Sequence, residues 1–235
     1  MALYKFETEA NMKKIFIDGS KGTTGLKLSE RLSHRDDIEI ITLPEELRKN
    51  PEARKDALNK SDIAFLCLPD AESIEAVKMI ENENTIVIDT STAYRTNDDW
   101  VYGFAELENQ ENKIKDAKRI ANPGCHAIGF ISLVAPLVKN GIIPVDSMLS
   151  CYSLTGYSGG GKKMIAEYET DEKPSLFSAP RIYGLTQNHK HLPEMKKICG
   201  LNNEPVFSPI VAPYYEGMTT VVMLSANAIN GNIGD

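Results

Sequence analysis

Four cysteines and four histidines hold most of the reactive side-chain chemistry open to this chain. Cys125 stands apart because Ala121–Phe130, ANPGCHAIGF, brings it out of a Pro-Gly turn and into the long apolar run Ala127–Val138. A cysteine where a turn becomes a helix lies among backbone N–H groups without intrahelical partners, at the positive end of the helix dipole. Both favour thiolate over thiol, the form that acts as a nucleophile. The same residue could equally be a small buried hydrophobe, the ordinary fate of a free cysteine. Cys67, Cys125, Cys151 and Cys199 are widely spaced and form no C-x-x-C pair, so neither a disulfide framework nor a zinc site is expected.

The histidines divide by context. His34 falls in a polar loop and reads as a surface residue. His126 adjoins Cys125, but neighbours on a helix point about 100° apart, which makes it a poor partner for the thiol. His189 and His191, in QNHKHLPEM, stand two apart just before Pro193, and no acidic or cysteine cluster accompanies them to complete a metal site. A cysteine of one domain meeting a histidine of the other across a cleft is the better constellation. Gly156–Lys163, GYSGGGKK, is too glycine-dense for a core element, so its backbone must approach either a ligand or another segment closely. Arg95, Arg181 and Lys162 are candidates to hold a carboxylate or phosphate, and with Cys125 they suggest an anionic substrate.

The elements that must position these residues follow from periodicity. Lys14–Asp18 reads as a strand, GSKGTTG as a loop with glycines at 19, 22 and 25, and Leu26–Leu32 as helix, the order of a nucleotide site. The G-x-x-G-x-x-G spacing departs from the usual dinucleotide fingerprint, though its glycines can do the same physical work of tight turn and close backbone approach. Ile38–Leu43 is a second strand, followed by Glu45, Glu46, Arg48, Lys49, Arg54 and Lys55 and a helix start at Asn50-Pro51. That mixture leaves the choice between a ribose carboxylate and a basic 2′-phosphate site open. Ser61–Leu68 reads as strand, an Asp70-capped helix runs to about Met79, and Thr85–Asp89 is again strand. Alternation continues to Asn140 and argues for a Rossmann-like parallel sheet covered on both faces, an α/β domain. Past Gly141, Ser147–Leu154, Glu204–Ala212 and Met218–Ala226 read as strands without regular helices between them, hence an α+β domain with a mixed or antiparallel sheet. The expected division is 12–122 for a nucleotide domain and 123–235 for a catalytic and dimerisation domain, with Met1–Asn11 an extension.

Composition narrows the classes. A net charge of −7 with no basic stripe argues against nucleic acid and against an anionic membrane. No apolar run reaches the roughly 18 residues of a membrane span, and MALYKFETEA lacks a signal-peptide pattern, so a cytoplasmic protein with reduced thiols is expected.

GSKGTTG, DTSTAYR, ANPGC, SLTGYSGGGK and NHKHLPEM, in this order between Lys13 and about Val222, closely resemble the N-acetyl-γ-glutamyl-phosphate reductase family, in its shorter type. The resemblance implies an NADPH-dependent reduction of an acyl phosphate to an aldehyde in arginine biosynthesis. Cys125 would form a thioester with loss of phosphate, hydride would give a thiohemiacetal, and His189, preferred to His191, would serve as acid and base. It implies further that Gly19, Ser20, Gly22, Thr23, Thr24, Gly25, Ser91, Gly159 and Gly160 contact NADP(H), that Arg95, Asn122, Ser158 and His191 contact substrate, that no metal takes part, and that the protein forms a homo-oligomer, dimer or tetramer. His126 stands where the family usually has an aromatic residue and Ile128 where Thr is common. Members continue for several dozen residues past the position of Asp235, so an edge of the second sheet is expected to lie open unless another subunit covers it. Three other readings keep some of these residues: a related acyl-phosphate dehydrogenase with a different substrate, a shortened NADP-binding protein without turnover, and a cysteine hydrolase using Cys125 and His189.

Overall fold

A computed structural model describes residues 12–230; the extension expected at 1–11 lies outside them. The chain divides into two compact units, one ending at Asp89 and the other beginning at Thr90.

In the first unit, β1 (Lys13–Asp18), β2 (Ile38–Ile41), β3 (Ile63–Leu66) and β4 (Ile86–Asp89) alternate with α1 (Thr23–Leu32), α2 (Pro51–Lys60) and α3 (Asp70–Met79). The strands lie in the order β2-β1-β3-β4, all parallel. Parallel strands need crossovers, and the helices supply them, so β1 and β3 are buried and apolar where they meet. Ile15, Phe16, Ile17, Ala64, Leu66 and Val87 form that core with Leu58 and Ala76 from the helices. Asn50 caps α2 by accepting from the Ala53 N–H at 3.0 Å, with Pro51 in the first turn, as its Asn-Pro pair predicts. The expected Asp70 cap is corrected: Pro69 is the N-cap of α3 and Asp70 its first residue, where a carboxylate still meets the dipole favourably.

The second unit contains β5 (Val101–Tyr102), α4 (Gln110–Asp116) and β6 (Arg119–Ala121), then α5 (Cys125–Lys139), β7 (Ser150–Gly156) and α6 (Gly161–Glu169). It continues through β8 (Arg181–Ile182), α7 (Leu192–Cys199), β9 (Val206–Ala212) and β10 (Met218–Met223). β5 and β6 pair in parallel. The larger sheet, in the order β10-β7-β9-β8, is mixed, because β7 runs parallel to β9 and antiparallel to β10. The expectation of strands without regular helices is corrected by α6 and α7, which lie between β7 and β9 and make their parallel pairing possible. α5 is more one-sided than its composition suggested. His126, Ala127, Phe130, Ile131 and Val134 are buried at helical spacing, while Ile128 and Leu133 are exposed. That buried face packs with Leu149, Cys151, Met195, Cys199 and Phe207 into one core, which fixes the start of α5 over β7, β9 and α7.

Candidate active site

The start of α5 is where the second unit concentrates its polar burial. Gly124 is the N-cap, no side chain caps the helix, and no acidic residue occupies its first turn. Cys125 follows as the first helical residue and is exposed, whereas Cys151 and Cys199 are buried and their thiols are pushed up to about 12 by burial. The Cys125 thiol is also held above its ordinary value. Desolvation by the surrounding protein raises it, outweighing the His126 N–H and the Arg95 charge, which lower it. Helix position alone therefore does not make the resting thiolate that the sequence suggested.

Behind Gly124 lies a buried clamp. Glu194, 1% exposed, takes Arg95 Nη1 at 2.9 Å on one oxygen. Its other oxygen accepts from the Tyr102 hydroxyl at 2.8 Å and from the Gly124 N–H at 3.1 Å. Arg95 spends its remaining contacts on the Asn122 carbonyl (3.0 Å) and the Thr90 carbonyl (3.1 Å). Only glycine suits position 124, since a Cβ there would fall against Glu194 Oε1, His191 Nε2 and Arg95 Nη1. Arg95, expected at the substrate, is 8% exposed and its guanidinium is bonded to these protein partners. Arg181 is likewise engaged, donating to the Tyr168 hydroxyl at 2.8 Å and stacking 3.8 Å over Phe177, while Lys162 is exposed. Asn122 is exposed beside the turn.

Three histidines gather at this helix start. The His126 ring lies 5.7 Å from His189 and 5.6 Å from His191, and His189 lies 4.7 Å from His191. Burial favours the neutral form of each, lowering His126 to about 4 and His191 to about 2, with His189 lowered by burial and then by Lys190. His189 is half-buried, and its Nδ1 accepts the His191 N–H at 3.2 Å, which leaves the ring proton on Nε2. His191 is 4% exposed with Nδ1 unpartnered among the described residues. Cys125 and both of these histidines belong to one unit, a correction to the expected pairing across two domains. His126, set aside because it follows Cys125 directly, belongs to the cluster; its ring reaches back to β7 and to Tyr183 just after β8, a placement that local spacing does not reveal. Among the described residues no group of His, Cys, Asp and Glu could hold a metal ion.

The glycine loop belongs to the first unit and fits an anion. Gly19 has φ of +82°, and a Cβ there would strike the Cys67 carbonyl; a Cβ on Gly25 would strike Gly19 and Ser20. The loop closes with the Gly22 N–H on the Gly19 carbonyl at 2.9 Å, and α1 starts without a capping side chain or an acidic residue in its first turn. Backbone N–H groups at Thr23 and Thr24 thus remain available to a pyrophosphate. Of the basic residues after β2, Arg54 pairs with buried Asp18 at 2.8 Å, Arg48 pairs with Glu45 and Lys55 with Glu81. In the second unit Ser91 is buried and its hydroxyl accepts the Ala93 N–H at 3.1 Å. Gly156–Lys163 resolves into two parts. Gly156 is forced by another segment, a Cβ there meeting the Tyr215 carbonyl at 2.5 Å and Glu216 Cα at 2.6 Å. Ser158 is half-buried, and Gly159 and Gly160 are exposed before α6.

Comparison with known proteins agrees with this fold. Residues 12–117 match the family model "Semialdehyde dehydrogenase, NAD binding domain" and residues 125–232 match "Semialdehyde dehydrogenase, dimerisation domain". An N-acetyl-gamma-glutamyl-phosphate reductase of Sinorhizobium medicae is 49% identical over 214 residues, covering 90% of this chain and 69% of its own length. One from Brucella ovis is 46% identical over 222 residues, 93% of this chain and 72% of the relative. Among solved structures, aspartate semialdehyde dehydrogenase II of Vibrio cholerae shares the fold with a TM-score of 0.66 at 15% identity, over 90% of this chain and 74% of that one. The enzyme of Candida albicans, solved with NADP, does so at 0.62 and 19%, over 91% and 71%. No helix among the described residues is long and apolar enough to cross a membrane.

Proposed function

The chain belongs to the N-acetyl-γ-glutamyl-phosphate reductase family, and on that premise we propose that it reduces N-acetyl-γ-glutamyl phosphate to N-acetylglutamate 5-semialdehyde with NADPH, a step of arginine biosynthesis, through a thioester on Cys125. The observation that carries this reading is an exposed cysteine at the uncapped start of α5, followed directly by His126, whose ring clusters with those of His189 and His191. Cys125 Sγ attacks the acyl carbon, forming a C–S bond as the C–O bond to phosphate breaks, and the thiol proton leaves on the expelled phosphate. The N–H groups of the first turn of α5 face the oxygen that gains charge. His189 donates a hydrogen bond there from its Nε2–H, since its Nδ1 accepts the His191 N–H. Loss of that proton from the neutral ring would leave an imidazolate, so full proton transfer as acid or as base requires a proton on Nδ1 at the expense of that 3.2 Å bond. Burial of His191, whose value is lowered to about 2, supports His189 as the ring that donates to this oxygen. Glu194 and Arg95 hold the Gly124 turn, and through it Cys125, in place.

NADP(H), when bound, supplies the hydride that the reduction needs. Gly19, Ser20, Gly22, Thr23, Thr24 and Gly25 would hold its pyrophosphate, with Ser91, Gly159 and Gly160 as further contacts, while Arg95, Asn122, Ser158 and His191 would line the substrate site. We take 12–122 as the nucleotide domain and 123–235 as the catalytic and dimerisation domain, a division that the limits of the two family models support. A homo-oligomer in the cytoplasm is part of the same reading.

The test is the reverse reaction: N-acetylglutamate semialdehyde and phosphate with NADP, followed by absorbance of reduced nicotinamide. Turnover by the parent and its loss by at least about a thousandfold in Cys125→Ser, with NADP binding retained, is the expected result. Loss of NADP binding in that variant would mean that the cysteine is structural.

A further inference from the structure

Arg181 is held in a way that spares its charge. It donates to the Tyr168 hydroxyl from Nε at 3.2 Å and from Nη2 at 2.8 Å, and its guanidinium lies 3.8 Å over the Phe177 ring. Tyr168 is 3% exposed and stacks on Tyr157 of the glycine-rich turn and on Phe177, with ring centres 4.7 Å apart in each pair. These neighbours are neutral, and among the described residues no carboxylate forms an ion pair with Arg181. A guanidinium stacked on a ring and bonded to a phenol is oriented without being neutralised. Its Nε edge is engaged by Tyr168, and the end-on edge of Nη1 and Nη2 keeps the donors that take a carboxylate through two parallel bonds. Strand register sets where that edge belongs. β8 pairs Arg181 with Val211 and Ile182 with Ile210, and the Tyr183 N–H continues the ladder to the Pro209 carbonyl at 2.9 Å. Side chains alternate along a strand, so Arg181 and Tyr183 share one face with buried Val211, about 7 Å apart along the chain, while Ile182 turns to the other face. The Tyr183 hydroxyl lies 2.9 Å from His126 Nε2, and its ring lies 6.0 Å from that of His189. Arg181 therefore stands one strand step from the histidine cluster, on the cluster's side of the sheet.

We propose that Arg181 selects the substrate by its α-carboxylate, and that Tyr168 and Phe177 are positioning residues that aim its guanidinium. The inference deepens the reading above and rests on it, since the α-carboxylate is that of N-acetyl-γ-glutamyl phosphate. This substrate is anionic at both ends. Its acyl carbon must meet Cys125, and its α-carboxylate lies three chain carbons away on the same skeleton. Of the other cations suited to an anionic group, Arg95 is paired with Glu194 at 2.9 Å. Lys162 is exposed near the start of α6 and has no hydrogen bond or ion pair among the described residues. A lysine of that kind attracts an anion without orienting it, whereas an arginine already fixed by a ring and a phenol loses little freedom on binding. A carboxylate docked end-on anchors one end of the skeleton and restricts where the acyl carbon can lie. Binding far from the reacting bond then becomes placement at the thiol. An acyl phosphate without the α-carboxylate lacks that anchor and is discriminated against, although the chemistry at Cys125 needs nothing from Arg181.

The experiment is protection of Cys125 from iodoacetamide on the full chain, with Cys125→Ser subtracted as background. Two ligands are compared: N-acetylglutamate, and 4-acetamidobutyrate, which is the same skeleton without the α-carboxylate. In the parent, N-acetylglutamate should protect at a concentration about tenfold to a hundredfold lower. Arg181→Met keeps the stem and removes the charged fork. It should weaken N-acetylglutamate by that factor and leave 4-acetamidobutyrate as it was, so that the two ligands become equal. Arg181→Lys should recover part of the preference, and Tyr168→Phe should lose about threefold to tenfold of it, because the fork remains but the acceptor that orients it is gone. In the reverse reaction the same pattern should appear in kcat/KM for N-acetylglutamate semialdehyde against 4-acetamidobutanal. A merely structural arginine would lower the thermal midpoint and weaken both ligands alike. Equal weakening of the two ligands, no weakening in Arg181→Met, or a selective loss in Lys162→Met in its place would overturn the inference; Arg181→Lys and Tyr168→Phe keep the test decisive if Arg181→Met does not fold. Protection needs no turnover. A parent that fails to reduce NADP would sink the activity reading, while the ligand pair still decides what Arg181 binds; a parent active on the semialdehyde but indifferent to the α-carboxylate would sink this inference alone.

Discussion

The glycine loop after β1 and the histidine cluster at the start of α5 solve opposite problems. In the loop the backbone does the chemistry. Side chains are removed at Gly19 and Gly25 so that main chain can approach main chain, and N–H groups stay available at an uncapped helix start. At the start of α5 side chains do it: Arg95 and Tyr102 are buried and bonded to Glu194, and His126 and His191 are buried with them. A backbone site is specified by a few adjacent residues and tolerates charge nearby. A buried polar site is specified by distant segments, and each member is costly once its partner is gone.

That contrast is broken most severely at Glu194. Glu194→Ala leaves the Arg95 guanidinium, the Tyr102 hydroxyl and the Gly124 N–H without their acceptor, all in the interior. Removing one partner of a buried ion pair costs about 3–5 kcal/mol. Chemical denaturation followed by the fluorescence of Trp100, the single tryptophan, should register a loss of that size. A loss below about 1 kcal/mol would show that water or a neighbour replaces the carboxylate and that the clamp is not a closed network.

The corresponding change in the backbone site is Gly19→Ala. Gly19 has φ of +82°, and an added Cβ would meet the Cys67 carbonyl, main chain that cannot swing aside as a side chain could. Left-handed strain of about 1–2 kcal/mol and overpacking of similar size give a loss of about 3 kcal/mol. Hydrogen exchange resolved by segment should show the lost protection in β1 and α1, together with weaker NADP binding. Full protection and full binding would mean that the turn can rearrange and that the glycine spacing carries no geometric demand.

These two sites differ equally in how far the sequence discloses them. Strand, glycine loop and helix are consecutive, so β1 and α1 could be placed within a residue or a few from periodicity and punctuation, and Asn50-Pro51 marked the start of α2 by its own chemistry. ANPGC disclosed Cys125 for the same reason. The clamp was hidden because Arg95, Gly124 and Glu194 meet only through the packing of α5 on α7; Arg95 therefore read as a free cation when it is the partner of Glu194. His126 was hidden by a correct local argument, since it does point away from Cys125, and what it points toward is set by β7 and β8. α6 and α7 were missed as helices because short elements in a glycine- and proline-bearing stretch carry little periodic signal.

The smallest effect sharpens the comparison by titration. His126 and His191 have folded values of about 4 and about 2 against an ordinary 6.5, both lowered chiefly by burial. A histidine lowered on folding binds its proton in the unfolded chain first. Stability is therefore full above about pH 6.5 and falls as the pH drops below it, continuing toward pH 4 for His126 and further for His191. Between pH 7 and 5.5 each site should cost about 1 kcal/mol, about 2 kcal/mol together. In the His126→Gln variant half of that dependence should vanish, because the amide does not titrate. Denaturant midpoints at the two pH values, in parent and variant, measure the difference directly. A parent whose stability is flat over this range would mean that water reaches the rings and that their neutrality is not imposed by burial.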